Sequence, residues 1–216
     1  MDGATLTGGH GALMDSIYRR QRHIYDLTRK YYLFGRDTAI REMACAPGMR
    51  VLEVGCGTGR NLAQIGKCWP GVERHGLDIS SAMLESARAR LGAEARLALG
   101  DATDFDAERL FGLGEFDRIL ISFAASMIPH WREAIAHAAR LLAPGGSLHV
   151  VDFGSFGGMP PIVRKAMLGW LRRFHVSPRN DMVTSMWGTA QSLGLEPSVT
   201  RGPLGYYRIV VLRRPA

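Results

Sequence analysis

The chain reads as an α/β protein whose doubly wound sheet has seven strands, mostly parallel, closed by an antiparallel C-terminal hairpin. Three observations predict it. Apolar runs of strand length alternate with helical patterns from Arg50 to Phe153, as strand-helix-strand units do. A glycine-rich turn, Gly55-Cys56-Gly57-Thr58-Gly59, follows the first run, so the backbone can bend sharply there and lie against a ligand. The last two runs, Glu196 to Thr200 and Tyr206 to Arg213, flank Gly202-Pro203-Leu204-Gly205 with no helix between them, which makes them antiparallel.

The elements follow in order. Residues 1 to about 10 are glycine-rich, and Leu13, Ile17, Ile24 and Leu27 recur at near-helical spacing from Gly11 to about Phe34, so residues 1–46 are expected to form a helical cap. Pro47-Gly48 turns the chain into a first strand, Arg50 to Val54, and a helix starts near Arg60. The second strand ends at Asp78; Ser80 or Ser81 caps a helix that Ala82, Met83, Ala87 and Leu91 carry to Gly92. Ala95 to Leu99 and Phe116 to Ser122 are the third and fourth strands, Trp131 to Leu142 a helix stopped by Pro144-Gly145-Gly146, and Ser147 to Phe153 the fifth strand. Asn180 or Asp181 caps the last helix, which runs to Gly194.

An insertion over residues 155–180 carries Pro160-Pro161, a helix start. Val163, Met167, Trp170 and Phe174 line one side at helical spacing, with Arg164, Lys165, Arg172 and Arg173 elsewhere on the surface. A basic amphipathic helix with Trp suits either a core-facing cover or a membrane interface.

A chain of 216 residues with 46% hydrophobic and 22% charged residues holds one full core and is not disordered. Its longest nearly apolar run, Ile119 to Pro129, falls short of the ~20 residues a spanning helix needs. The start Met1-Asp2-Gly3 lacks a signal-peptide pattern, so a cytosolic location is expected. Cys45, Cys56 and Cys68 are odd in number and without C-x-x-C spacing, which predicts reduced, buried thiols and no metal site. The net charge of +7 gathers at Arg19 to Lys30 and Arg164 to Arg179, and on charge alone it suits nucleic acid, anionic membrane or acidic protein.

The glycine turn gains meaning from its surroundings. Asp78 lies nineteen residues beyond Gly59, where a carboxylate in such a sheet reaches the hydroxyls of a ribose. A dinucleotide fingerprint would place its last glycine where Arg60 stands, and a phosphate loop would end in G-K-S/T, which does not occur. The series Glu53-Val54-Gly55-Cys56-Gly57-Thr58-Gly59, Asp78, Gly100-Asp101-Ala102, Phe116-Asp117-Arg118-Ile119 and Leu142-Ala143-Pro144-Gly145-Gly146 resembles the S-adenosylmethionine-dependent methyltransferases of Rossmann-like fold. The resemblance implies S-adenosylmethionine as cofactor, no metal, and a cofactor site of Glu53, Gly55, Cys56, Gly57, Gly59, Asn61, Asp78, Ile79, Met83, Asp101, Ala102 and Ser122. Asp101 can accept from the adenine amine.

Enzymes of this fold that methylate nucleic-acid amines carry N/D-P-P-Y/F after strand four, and cytosine enzymes a Pro-Cys pair; Ser122-Phe123-Ala124-Ala125-Ser126-Met127 has neither. Nucleic acid is therefore not the expected acceptor. The stretch His23 to Asp37, with Gly57 to Leu62, Ala125 to Pro129 and Val151-Asp152-Phe153-Gly154, is similar to the bacterial BtaB-type enzymes, over about Leu13 to Arg179. It departs at His130, where an acidic residue is commoner. That resemblance implies trimethylation of the amine of diacylglyceryl-homoserine to a betaine lipid, at an anionic membrane surface. Rings tolerate a growing methylammonium, and Tyr25 and Tyr32 are the catalytic candidates, with Tyr31 on the substrate. Arg29, Arg36 or Arg164 offers a forked partner for the headgroup carboxylate. Phosphatidylethanolamine methylation and a non-enzymatic S-adenosylmethionine-binding regulator are the alternatives.

Overall fold

The computed structural model describes residues 33–174 and 176–216. Seven strands form one sheet: β1 Arg50–Val54, β2 Glu73–Asp78, β3 Arg96–Leu99, β4 Phe116–Ser122, β5 Leu142–Phe153, β6 Glu196–Arg201 and β7 Tyr207–Arg213. Their order is β3-β2-β1-β4-β5-β7-β6. The first five are parallel, while β7 runs antiparallel between β5 and β6. The expected fold class and hairpin are both present. Order reverses between β1 and β4, and in an open α/β sheet that switch point is where ligands bind, beyond the carboxyl ends of the strands.

Seven α-helices are described: α1 Arg36–Glu42, α2 Arg60–Cys68, α3 Ser81–Leu91, α4 Ala107–Phe111, α5 Trp131–Arg140, α6 Pro161–Arg172 and α7 Met182–Leu193. One core layer joins the sheet to α4, α5 and α7 through Phe111, Phe116, Trp131, Ile135, Met182 and Met186. The other joins it to α1, α2, α3 and α6 through Ile40, Leu62, Ile65, Leu84, Phe153 and Leu171. Both faces of the sheet are therefore covered, as parallel strands require.

Four expectations need correction. The helix expected over residues 11–34 lies outside the described residues except for Leu33 and Phe34, which are not helical. Within the described part of the expected 1–46 cap the helix is α1, and Ala39, Ile40 and Met43 are buried at i, i+1 and i+4. Strand β5 begins at Leu142 rather than Ser147, because Leu142 pairs with Phe116 before a register shift carries the chain to Ser147 opposite Arg118; Gly145, at φ 71°, sits in that bulge. Cys45 and Cys56 are buried thiols as expected, but Cys68 is only half-buried.

The fourth concerns α6. Its buried face centres on Leu171, flanked by half-buried Met167, Leu168, Trp170 and Phe174, so three members of the expected stripe pack on the domain and Val163 does not. Ile162 and Val163, 84% and 49% exposed, leave the first turn of the helix facing solvent. No described helix is long and apolar enough to cross a membrane.

Candidate cofactor and acceptor site

The glycine loop sits at the end of β1, where the N–H groups of Gly55 and Cys56 donate to Leu77 O at 2.8 and 2.9 Å. Its three glycines serve different ends. A Cβ on Gly55 would meet Ala124 Cβ at 2.8 Å, so this glycine admits the loop after β4. A Cβ on Gly59 would strike Leu91 at 2.7 Å, so this one lets α2 pack on α3. Gly57, at φ 52°, has no protein atom within 4 Å of where a Cβ would stand. That open space over a left-handed glycine is where a ligand can lie against main chain.

The carboxylates converge on the same place. Asp78, at the end of β2, accepts from Gly57 N at 2.7 Å through Oδ2 and from Ser80 N at 2.9 Å through Oδ1. Ser80 also caps α3, its hydroxyl accepting from Met83 N at 3.3 Å; Met83 is buried and Ile79 half-buried beside it. Gly100 N donates to Asp78 O at 3.0 Å and brings Asp101 to this end of the sheet. One oxygen of Asp101 accepts from Thr103 N and Oγ1 at 2.9 and 2.7 Å; Oδ2 remains for a ligand.

Glu53 is the most unusual group of the crevice. It is fully buried, and Asn61 Nδ2 donates to its Oε1 at 2.6 Å, but its Oε2 has no partner. Burial pushes its carboxyl up to about 8, Asp78 acts in the same direction, and Asn61 and the Arg36 guanidinium oppose them. Ser122 Oγ, at the end of β4, is likewise buried without a partner. The open space at Gly57, the carboxylate of Asp78 at the end of β2 and an orphaned acid oxygen fit the three parts of S-adenosylmethionine: main-chain approach, sugar hydroxyls and a cationic amine.

A methyltransferase domain model matches residues 52–148. Over 186 residues, 75% of this chain and 68% of the relative, the sequence is 32% identical to a demethylmenaquinone methyltransferase of Parafrankia. The chain belongs to the S-adenosylmethionine-dependent methyltransferases. The demethylmenaquinone methyltransferase of Tropheryma whipplei is 32% identical over 157 residues, 68% of this chain but only 62% of that relative, so less than two thirds of its length is spanned. Among solved structures, phosphoethanolamine N-methyltransferase 2 of Haemonchus contortus, in complex with phosphomonomethylethanolamine and S-adenosylhomocysteine, superposes with a TM-score of 0.67 at 16% identity, covering 85% of this chain and 53% of that one. The likeness is one of fold.

In this methyltransferase the expected cofactor residues therefore gather at one crevice, from the ends of β1, β2, β3 and β4. Cys56 contributes main chain, since its thiol is buried beside Gly76 and burial holds its pKa well above the usual thiol range. Of the expected substrate residues, Tyr25, Arg29, Tyr31 and Tyr32 lie outside the described residues. Arg36 is buried at the start of α1, its charge acting on Glu53 and its Nε donating to Asp37 at 3.3 Å. Arg164 is exposed on α6 and shares no hydrogen bond or ion pair with the glycine loop.

Sequence reasoning missed the other wall. Beside Ala124, and so beside Gly55, a buried cluster of rings in edge-on contact backs the loop after β4 and runs outward to one exposed ring: Phe123 to Phe153 at 4.9 Å, Phe153 and Phe156 to Tyr206 at 6.1 and 5.3 Å, and Tyr206 to exposed Phe34 at 5.2 Å. The loop after β4 is clamped from behind. Buried Asp152 accepts from Ser126 N at 2.8 Å, and Arg179 donates to Ala125 O and Ile128 O at 3.1 and 2.9 Å. Arg208, opposite Asp152 on β7, donates to Phe153 O at 3.2 Å. A signal existed in the aromatic residues just past β4 and β5, but their meeting with Tyr206 and Phe34 depends on tertiary packing.

Proposed function

We propose that this methyltransferase acts on the primary amine of a lipid headgroup, that of diacylglyceryl-homoserine, and methylates it up to the trimethylated betaine. What supports the reading is the similarity of His23 to Asp37, Gly57 to Leu62, Ala125 to Pro129 and Val151 to Gly154 to enzymes that methylate that headgroup, together with the exposed ring of Phe34 at the outer end of a buried aromatic cluster beside the glycine loop. Attraction of a cation to a ring face needs no N–H donor, so it survives each added methyl group.

When bound, S-adenosylmethionine supplies a methyl group on a positively charged sulfur. The neutral acceptor nitrogen forms the new N–C bond as the C–S bond breaks, S-adenosylhomocysteine departs, and the ammonium proton passes to solvent before the next round. The charge is moved rather than created, so the protein's part is alignment and exclusion of water. Glu53 is suited to the cofactor's amine, Asp78 to its ribose and Asp101 to its adenine. Asp152 and Arg179 hold the loop after β4, and with it Phe123, against the same crevice.

A second reading is C-methylation of a quinol ring, favoured by the names of the curated relatives. A ring carbon must be activated by removing a proton from a neighbouring hydroxyl, whereas a neutral amine needs no base. The experiment incubates purified protein and S-adenosylmethionine with micellar diacylglyceryl-homoserine, phosphatidylethanolamine or demethylmenaquinol, and reads products by mass spectrometry. One to three added methyl groups on the homoserine lipid support the proposal. Transfer to the quinol alone replaces it with the second reading, and transfer to phosphatidylethanolamine alone changes the headgroup.

A further inference from the structure

Outside the aromatic wall lies an apolar ledge that methyl transfer does not account for. Ile162 is 84% exposed, Val163 49%, Leu204 58% and Phe34 58%. They come from distant parts of the chain, yet backbone hydrogen bonds draw them together: Gly158 N donates to Leu204 O at 3.1 Å and Phe156 N to Gly205 O at 2.9 Å. Phe34 joins through its edge contact with Tyr206 at 5.2 Å. Leu204 holds φ at 54°, a left-handed conformation that strains any L side chain and that glycine or asparagine adopts more readily. The turn thus holds an isobutyl group outward where a smaller or polar residue fits the backbone better.

Charge follows the same surface. Between Gly154 and Asn180 the chain has Arg164, Lys165, Arg172, Arg173 and Arg179 and no acidic residue. Arg179 turns inward to the loop after β4, and the other four are exposed. On the side of α6 away from buried Leu171 stand Ile162, Lys165, Ala166 and half-buried Gly169, with exposed Arg172 on the flank and exposed Arg173 just past the end of the helix. The small pair in the middle lets the helix backbone approach a flat surface.

We propose that this ledge and the outer side of α6 dock the protein on an anionic lipid bilayer. Ile162, Val163 and Leu204 enter the acyl boundary, while Lys165, Arg172 and Arg173 meet headgroup phosphates. The inference rests on the lipid-acceptor reading in one respect: the buried rings of Tyr206, Phe153 and Phe123 tie exposed Phe34 and the ledge to the loop after β4, so a bilayer docked there lies on the acceptor side of the crevice.

Flotation with phosphatidylcholine vesicles, with and without about a third phosphatidylglycerol, tests it. Wild-type protein should float with the anionic vesicles at low salt, stay behind with the neutral ones, and come off as salt screens the attraction. Lys165→Gln, Arg172→Gln and Arg173→Gln together should lower the partition at least roughly tenfold. Ile162→Ser with Val163→Ser should lower it several-fold. Leu204→Asn should lower it too while raising Tm, since asparagine accepts the left-handed backbone; a purely structural leucine would lower Tm instead. Wild-type protein that stays soluble at low salt, or a charge variant that floats like wild type, overturns the proposal. Binding of duplex DNA without flotation does so as well, making the surface a nucleic-acid face. Transfer to micellar lipid is read separately, so flotation without any lipid methylation leaves the docking intact and removes the acceptor reading.

Discussion

The two walls of the crevice are built by opposite means. On the cofactor side the backbone is bent by glycines, Gly55, Gly57 and Gly59, all at positive φ, and the polar contacts come from residues close in sequence. On the acceptor side, three of the four non-glycine residues with positive φ among the described ones, Phe123, Phe156 and Leu204, hold side chains where glycine is usual. Backbone strain of this kind costs on the order of 1–3 kcal/mol per residue and persists only where surrounding packing enforces it. Here the enforcing groups are Asp152, Arg179 and Arg208. The first wall is shaped by what glycine permits, the second by what its packing enforces.

If that contrast is right, damage to the two walls separates into stability and affinity. Phe153→Ala removes the ring that touches Phe123, Phe156 and Tyr206 and should cost about 3–5 kcal/mol of folding stability, measured by urea unfolding. Cofactor affinity of the folded fraction should change less than about twofold. An equal fall in affinity would join the walls into one unit.

Asp78→Ala should strike affinity as well as stability. It removes the acceptor for Gly57 N and Ser80 N as well as the ribose partner, each such bond to a charged group being worth about 1.5–3 kcal/mol. Calorimetry should show S-adenosylmethionine binding weakened more than tenfold, or about 1.4 kcal/mol. Unchanged binding would remove Asp78 from the site.

A finer cut lies within the loop. Gly57→Ala puts a methyl group into open space and Gly59→Ala drives one into Leu91. At Gly57 affinity should fall about tenfold, with a stability loss of only about 1–2 kcal/mol from the left-handed backbone. At Gly59 the loss of stability should be the larger and the loss of affinity the smaller. The same ranking at both positions would mean that Gly57 does not face the ligand.

What the sequence shows of this molecule follows the same division. The strand ends, the Ser80 cap and the cofactor crevice are legible because each depends on residues adjacent in the chain or one unit apart. Helix α1 is not legible because its seven residues hold too few turns for a periodic pattern, although Ala39, Ile40 and Met43 are its buried side. The facing of α6 is set by what packs beneath Leu171, which no pattern within residues 161–172 contains. The aromatic wall requires Phe34, Phe123, Phe153 and Tyr206 to meet, and only the pairing of β5 with β7 brings the last two together.

The smallest effect at neutral pH, and the one most specific in its form, belongs to Glu53. In the free protein its carboxyl, raised to about 8 by burial, is mostly protonated at pH 7. A cationic amine at Oε2 favours the ionised form, so binding releases a proton. That release costs about 1.4 kcal/mol for each pH unit below the raised pKa, offsetting most of the ~1.5–3 kcal/mol of a charge-assisted bond. Glu53→Gln should therefore weaken S-adenosylmethionine binding only about threefold at pH 7. The pH dependence is the sharper test. Wild-type affinity should rise from pH 6 toward 8 and turn over as the cofactor's own α-amine, near 8, loses its charge; the variant should lack the rising limb. Stability runs in the other direction. The folded state holds a proton that the unfolded chain has released, so the contribution of Glu53 is full below the ordinary carboxylate range and is lost as pH climbs through about 8. Urea unfolding at pH 6 and 8 should show that decline in wild type and a shallower one in Glu53→Gln. Parallel declines in both, with an unaltered affinity profile, would show that the buried acid does not face the cofactor's amine.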